Sequence, residues 1–481
     1  MNNISKDVFL KGYVCPALGW SIRNGEYREA MSAGDLFRLE QGLEIGKRAR
    51  ALYPDGVLVS DLNPVSAARI TEGFIKGGGV PVIFEGAFLT DSYVARADIL
   101  RRDENGWHLY EVKSGINDRD EFVDDMAYTA MVLDRCGLNI SSVSLLLVSK
   151  DFRLGMPDEK LFTEIDHTED VFARVEEFKP YWQQVEEATR AETKPEPCFI
   201  YECRQCEMFG ECLGKGIENH IFQLPRLSQS RFGDLTESGI TSIEDIPAEF
   251  SLTENQKRVR DCVVSGELFI GENLKQSLES ISFPAYYLDF ETVMTAIPLY
   301  PDIAPYTQIP TQYSIHRCSG MDDEPEHSEY IASDPSRDCR QELAESLIRD
   351  LEEEGSILIY SVFEKAVING LMALCPDLSE KLAALSARMV DLEAIIRKNF
   401  YHPDFHGSTS IKKVLPVLVP DMSYEGMPIA DGDTAMVTFA YLAMDRYEAA
   451  EAEVIKRQLL EYCGLDTLAM VKLHRRLIEY V

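Results

Sequence analysis

Cys203, Cys206 and Cys212 lie within ten residues of one another in the spacing C-x2-C-x5-C, and no other stretch limits the possible folds of this chain so strongly. The chain has eleven cysteines. It opens Met1-Asn2-Asn3-Ile4-Ser5-Lys6-Asp7, without the basic region and apolar core of a secretory signal, so a cytoplasmic location is expected. In that compartment clustered cysteines are thiols or metal ligands rather than disulfides. Soft thiolates select zinc or iron–sulfur, and four ligands are the usual number. Cys198 is the near candidate for the fourth and Cys15 the distant one. Cys136, Cys262, Cys318, Cys339, Cys375 and Cys463 read as ordinary core or near-surface thiols.

At 481 residues the chain exceeds one ordinary core and predicts two or three domains. Its 45% hydrophobic and 10% aromatic content is that of a packed globular protein. No apolar run approaches the roughly 18 residues of a membrane span, so no membrane partner is expected. The net charge of −33 excludes a broad, passive coat on nucleic acid, which draws on clustered Lys and Arg. It does not exclude an enzyme whose bound cations offset its own carboxylates.

Two short apolar runs, residues 94–100 and 107–114, flank a polar turn and predict a β-hairpin. It carries Asp98 on the first arm and Glu111 on the second. Alternation along the second arm puts Lys113 on the same face as Glu111. Two carboxylates and a lysine suit phosphodiester hydrolysis, because the acids hold a divalent cation and the ammonium steadies a water or the developing charge. Helical spacing is predicted over 33–52, with Glu40 and Glu44 one turn apart, and again over 121–133. A buried strand is predicted at 143–148. The segment 218–280 reads as a helical spacer that includes a stretch similar to half of a helix-hairpin-helix.

A second acidic constellation begins at Tyr286-Tyr287-Leu288-Asp289-Phe290-Glu291. Strand periodicity puts Asp289 and Glu291 on one face, and a buried strand does not keep two unpaired acids without a cation or strong partners. Glu364 follows the strand 356–360 in the first turn of a helix, and Asp391 follows another short strand. Tyr462 and Asp466 share a face of the last helix at i, i+4.

The cysteine pattern, with Cys15-Pro16 near the start, and the Asp then Glu-x-Lys hairpin resemble the iron–sulfur members of the PD-(D/E)XK nucleases. Similar patterns occur in RecB-like CRISPR-associated nucleases and in AddB. The resemblance implies a 4Fe-4S cluster on Cys15, Cys203, Cys206 and Cys212 that staples the two ends of the domain and leaves Cys198 outside; the alternative that thiolate chemistry leaves open is zinc with Cys198 as the fourth ligand. It also implies a metal site of Asp98 and Glu111 with Lys113 catalytic, and an upstream helix acid for which Glu44 is the best match. Many relatives carry a glutamine on the following helix where this chain has 125–129. The later constellation resembles DnaQ-like exonucleases of the ribonuclease H superfamily. That likeness implies that Asp289, Glu291, Glu364 and Asp466 bind two Mg2+ or Mn2+ ions while Tyr462 orients the attacking water. Asp391 is the rival of Glu364. Together the halves resemble bacterial proteins that join a RecB-like iron–sulfur nuclease to a DnaQ-like domain.

The expected fold class is therefore α/β. A restriction-endonuclease-like domain is expected at 1–217, the helical linker at 218–280 and a ribonuclease H-like mixed-sheet domain at 281–481. The expected function is metal-dependent hydrolysis of phosphodiester bonds in DNA, single-stranded or at ends, in repair, recombination or defence. The competing expectations are an RNA-processing exonuclease and a nucleic-acid-binding scaffold with one or both sites inactive.

Overall fold

A computed structural model describes residues 3–28 and 30–481. The chain is α/β and divides into two compact units, Met1–Lys215 with Thr295–Thr307, and Gly216–Met294 with Gln308–Val481. Among the described residues no helix is long and apolar enough to cross a membrane.

The first unit is built on a six-stranded sheet in sequential order, β1 (Val57–Leu58), β2 (Val82–Thr90), β3 (Tyr93–Arg102), β4 (Trp107–Val112), β5 (Ile140–Val148) and β6 (Phe162–Asp166). Strands β2, β3 and β4 are antiparallel neighbours, whereas β1 with β2 and β4 with β5 are parallel. The β3–β4 turn is fixed locally. Asp103 Oδ1 accepts from the amides of Asn105 and Gly106, each at 2.7 Å. At Gly106 (φ +155°) a Cβ would stand 2.5 Å from the Asn139 carbonyl oxygen, so the turn takes glycine. This turn sets the register Ile99–Tyr110, and one step further along the ladder stand Asp98 and Glu111.

Among the described residues seven helices accompany this sheet: α1 (Lys6–Val14), α2 (Pro16–Asn24), α3 (Ala33–Ala51), α4 (Pro64–Gly77), α5 (Asp120–Arg135), α6 (Thr168–Phe178) and α7 (Tyr181–Arg190). Parallel neighbours need a crossover, and α5 supplies the one from β4 to β5. Its buried residues Met126, Tyr128, Met131 and Leu133 join Phe9 of α1, Tyr93 of β3, Leu147 of β5 and Trp182 of α7 in the main core.

In the second unit a five-stranded sheet has the order β10–β9–β8–β11–β12. Its strands are β8 (Ala285–Val293), β9 (Ile309–Cys318), β10 (Glu326–Ile331), β11 (Ser356–Ile359) and β12 (Met389–Asp391). The hairpin side, β8–β9–β10, is antiparallel, and β8–β11–β12 is parallel. A small ladder pairs β7 (Phe269–Ile270) with β13 (Phe400–Tyr401). Helices α8 (Gln229–Glu237), α9 (Glu254–Ser265) and α10 (Leu274–Glu279) precede the sheet. After it begins come α11 (Arg340–Asp350), α12 (Phe363–Leu374), α13 (Ser379–Ala387), α14 (Leu392–Asn399), α15 (Ile411–Leu418), α16 (Gly432–Ala443) and the long α17 (Ala449–Ile478). The core lies between β8, β9, β11 and helices α11 to α13, with Tyr286, Leu288, Tyr313, Leu347, Ile357 and Ile368 buried.

The segment 218–280 is bound into this second unit rather than spacing two domains. The amide of Ile270 lies in the ladder with Phe400, the Arg258 guanidinium donates to the Arg397 carbonyl at 2.7 Å, and Gln256 Nε2 donates to the Pro225 carbonyl at 2.9 Å. Between α8 and α9 lies a three-residue 3-10 turn, Ile243–Asp245, in place of the second helix of a hairpin motif. Residues 295–307 belong to the first unit, where the Ala296 amide donates to Gln41 Oε1 at 3.1 Å.

Candidate functional sites

The hairpin of the first unit brings Asp98, Glu111 and Lys113 together. The backbone amide of Val112 donates to Asp98 Oδ2 at 2.8 Å, and Lys113 Nζ lies 3.0 Å from Glu111 Oε1. Two partners come from elsewhere in the unit. Lys6, at the start of α1, also reaches Glu111 Oε1 at 3.0 Å, and Asp125 of α5 accepts from Lys113 at 2.5 Å. Burial pushes the Asp98 carboxyl up to about 8, with the neighbouring Glu111 adding to it. Burial alone would push Glu111 up as well, but the two ammonium groups outweigh it and hold it below its usual range. Lys113 is buried too, yet Glu111 and Asp125 raise it above an ordinary lysine.

Glu44 does not join this site. It is engaged by Arg48 at 3.1 Å and Lys47 at 3.8 Å on its own helix, so its charge is spent along the α3 surface. The further acid that acts on Asp98 is Glu85 of β2, itself raised by burial against the pull of Arg50 and Arg96. Glu85 has φ +54°, and it is skipped in the ladder, where Phe84 pairs with Ile99 and Gly86 with Ala97. The register is the same on both sides of it, so Glu85 stands across from Asp98 on the neighbouring strand.

The second unit gathers its acids at the end of the parallel strands. Pairing of β8 with β11 stops at Tyr287–Leu358, while β8 runs on to Val293 and carries Asp289 and Glu291 past the end of β11. After β11 the chain turns into α12, where Glu364 sits in the first turn, buried, accepting from Ser361 Oγ at 3.3 Å. Helix α17 brings Tyr462 and Asp466 to the same place. Asp289, Glu291 and Asp466 each offer an oxygen within 4.8 Å of the others, which no other three acids, histidines or cysteines among the described residues do. All three line a pocket of about 650 Å³ together with Glu364 and Tyr462. Asp391 instead caps α14, accepting from the Ala394 amide at 2.8 Å, and Glu364 is the acid that faces the pocket.

Burial dominates the electrostatics here. It drives Asp289 well above the ordinary carboxylate range, reinforced by Asp466, Glu291 and Glu364. Glu291 rises to about 8 through burial and then Asp466, and Glu364 to about 7 through burial. Asp466 is also raised by burial, but only to about 6, because the Tyr424 hydroxyl donates to it at 2.5 Å and Lys412 and Tyr462 favour its anion. Four desolvated acids with one nearby ammonium suit a divalent cation, which supplies the charge that the protein lacks. Lys412 and Tyr424 had no signal in the sequence, since α15 and the loop before α16 bring them in through tertiary packing. His402 and His406 stay out of the pocket lining, and His402 Nδ1 accepts from the Asp404 amide at 3.1 Å. At Gly407 (φ +79°) a Cβ would fall 1.6 Å from the Gln223 carbonyl oxygen, which fixes the rim of the pocket tightly against the chain before α8.

Cys15, Cys203, Cys206 and Cys212 line one small pocket of the first unit, and Cys198 lines it as well. None of them is in a disulfide. Burial pushes the Cys203 thiol up, and the neighbours that add to this are Cys15, Cys206 and Cys212. Cys198 offers Cys203 its carbonyl, 3.6 Å from Sγ. No three of these sulfurs lie mutually within 4.8 Å. Thiols gathered in one pocket are a donor set that suits a soft metal centre.

A family described as a domain of unknown function, DUF2779, matches residues 286–410, which run from β8 to the loop before α15. Uncharacterized protein MG366 of Mycoplasma genitalium is 25% identical over 222 residues, which cover 42% of this chain and 33% of that protein. The chain thus matches about a third of the length of that relative.

Proposed function

We propose that the chain is a metal-dependent nuclease, with a PD-(D/E)XK-type site on the first unit and a DnaQ-like site on the second. The observation that carries this reading is the convergence of Asp289, Glu291 and Asp466 within 4.8 Å at the carboxyl end of parallel strands, where open α/β sheets bind ligands. The sheet order of the second unit and the position of Glu364 support the ribonuclease H-like assignment. The strand–crossover–strand arrangement around Asp98 and Glu111 supports the other.

A divalent cation on these acids would supply a water of lowered pKa and a Lewis acid for the phosphate. The chain's own groups supply the rest. Tyr462 orients the attacking water, Lys412 offsets charge at the rim, and Lys113 faces the phosphate in the first unit. The water oxygen bonds to phosphorus, the bond from phosphorus to the leaving sugar oxygen breaks, and that oxygen takes up a proton. DNA with single-stranded or free ends is the proposed substrate.

The cysteine pocket is proposed to hold a 4Fe-4S cluster on Cys15, Cys203, Cys206 and Cys212. Four thiolates also suit a tetrahedral zinc with Zn–S bonds of about 2.3 Å, and iron analysis separates the two. The two lysines on Glu111 favour a second reading, in which only the DnaQ-like site cuts. Glu111→Gln and Asp289→Asn, assayed separately and combined on end-labelled DNA and RNA with Mn2+, decide between these readings. Partial loss in each variant with complete loss when the two are combined supports two sites, complete loss in Asp289→Asn alone supports one, and full activity in the combined variant removes the nuclease reading.

A further inference from the structure

Lys6 is absent from the two acids and one lysine by which the first site is recognised, yet it is built into that site. The residue before last, Ile4, is fastened to β3: its amide donates to the Ser92 carbonyl at 2.7 Å, its carbonyl accepts from the Val94 amide at 2.9 Å, and the Tyr128 hydroxyl donates to the same carbonyl at 2.8 Å. Ser5 then caps α1 by accepting from the Val8 amide. Lys6 therefore leaves a rigid stretch of backbone, as the first residue of the helix.

That position is electrostatically unfavourable for a cation, because the amino end of a helix carries partial positive charge. Two acids offset this cost. Lys6 Nζ lies 3.0 Å from Glu111 Oε1 and 3.4 Å from Asp125 Oδ2. Lys113 Nζ lies 3.0 Å and 2.5 Å from the same two oxygens. Two ammonium groups thus alternate with two carboxylates, and Lys6 is the outer one, with 36% of its side chain exposed against 23% for Lys113. A divalent cation held by Asp98 and Glu111 would compete with both lysines for Glu111. The outer ammonium is the one with room to turn away, and the group it would meet is a phosphate carried by the strand.

We propose that Lys6 is a second phosphate-binding ammonium of the first site, held on Glu111 and Asp125 and handed to a non-bridging phosphate oxygen when a divalent cation takes its share of Glu111. The proposal rests on the nuclease reading of that site. Its test uses the full chain carrying Glu291→Gln, so that the second site is silenced, and compares Lys6→Met and Lys6→Arg with the parent. Mn2+ is titrated by calorimetry, and cleavage of single-stranded DNA gives kcat and KM.

In Lys6→Met, Mn2+ binds about tenfold more tightly because a competing charge is gone, while kcat/KM falls about 10²-fold. Lys6→Arg restores most of the cleavage. Unchanged or weaker Mn2+ binding in Lys6→Met, with a lowered melting temperature, overturns the proposal and leaves Lys6 a fastener of α1. Mn2+ binding by the parent that survives Asp98→Asn overturns the nuclease reading of this site, and the proposal with it.

Discussion

Glu291→Gln is expected to stabilise the protein when metal is withheld, and by an amount that depends on pH. The ordinary glutamate value is 4.5, and in the fold Glu291 rises to about 8. The folded state therefore holds its proton more tightly than the unfolded chain, so whatever stability Glu291 allows is fully present below pH 4.5 and drains away as pH rises toward 8. At about pH 8 the difference of 3.5 between the two values, less the half-protonation that remains, corresponds to roughly 4 kcal/mol against folding. At about pH 5.5 the same linkage gives roughly 1 kcal/mol.

Glutamine keeps the shape of the side chain and never ionises. Allowing half the figure for local relaxation and residual hydration, Glu291→Gln gains about 2 kcal/mol at pH 8 and less than about 1 kcal/mol at pH 5.5. For a unit of this size each kcal/mol moves the melting temperature by roughly 2–4 °C. The assay is thermal unfolding in EDTA at both pH values, the lower one chosen above the isoelectric point of 4.6, and then again with Mn2+. Cation at a hundred times its dissociation constant stabilises the unaltered chain by about 2.7 kcal/mol, and the variant loses that gain. A variant that melts lower than the unaltered chain in EDTA at pH 8, or that keeps the full Mn2+ shift, refutes the argument.

Tyr462→Phe keeps the ring buried and removes the hydroxyl beside Asp466, so kcat of the second site falls about 10²-fold while Mn2+ affinity stays within a factor of a few; stopped-time cleavage and calorimetry read the two. On the cluster reading, anaerobically purified protein is expected to be brown and to contain iron. Cys15→Ser and Cys203→Ser each lose the colour, whereas Cys198→Ser keeps it, as iron analysis and the visible spectrum report.

The groups that the sequence revealed are those whose spacing is imposed by a single regular element. Alternation along β4 was enough to put Glu111 with Lys113, alternation along β8 to put Asp289 with Glu291, and the i, i+4 step of α17 to put Tyr462 with Asp466. Long-range partners follow a different rule. Lys6 reaches Glu111 because Ile4 is fastened to β3, and Lys412 nears Asp466 because α15 packs beside α17; neither has a local pattern to read. Glu85 went unread because the acid it stands against, Asp98, lies on the neighbouring strand, a pairing that no local pattern in β2 signals. Glu44 misled for the opposite reason, since its helical spacing was correct while its carboxylate was already satisfied by Arg48. The segment 218–280 carries weak periodicity and short elements, and the ladder of β7 with β13 that binds it to the second unit pairs residues far apart in sequence.

The two sites answer the same problem, a cluster of buried acids in a chain of net charge −33, by different means. In the first unit Asp98, Glu111, Asp125 and Glu85 are met by Lys6, Lys113, Arg50 and Arg96, so the charges balance without any ion. Any cation there displaces something already bound. In the second, Lys412 acts on Glu291 and Asp466, Asp289 and Glu364 are raised by burial, and protons raised onto the carboxyls make up the deficit. Protons are weak competitors near neutral pH, whereas ammonium groups on a rigid backbone are not displaced by raising pH. The second site is therefore expected to gain divalent cations as pH rises through the range set by its own acids, about 6 to 8, whereas the first, where Asp98 is likewise raised to about 8, also has Lys6 and Lys113 to displace.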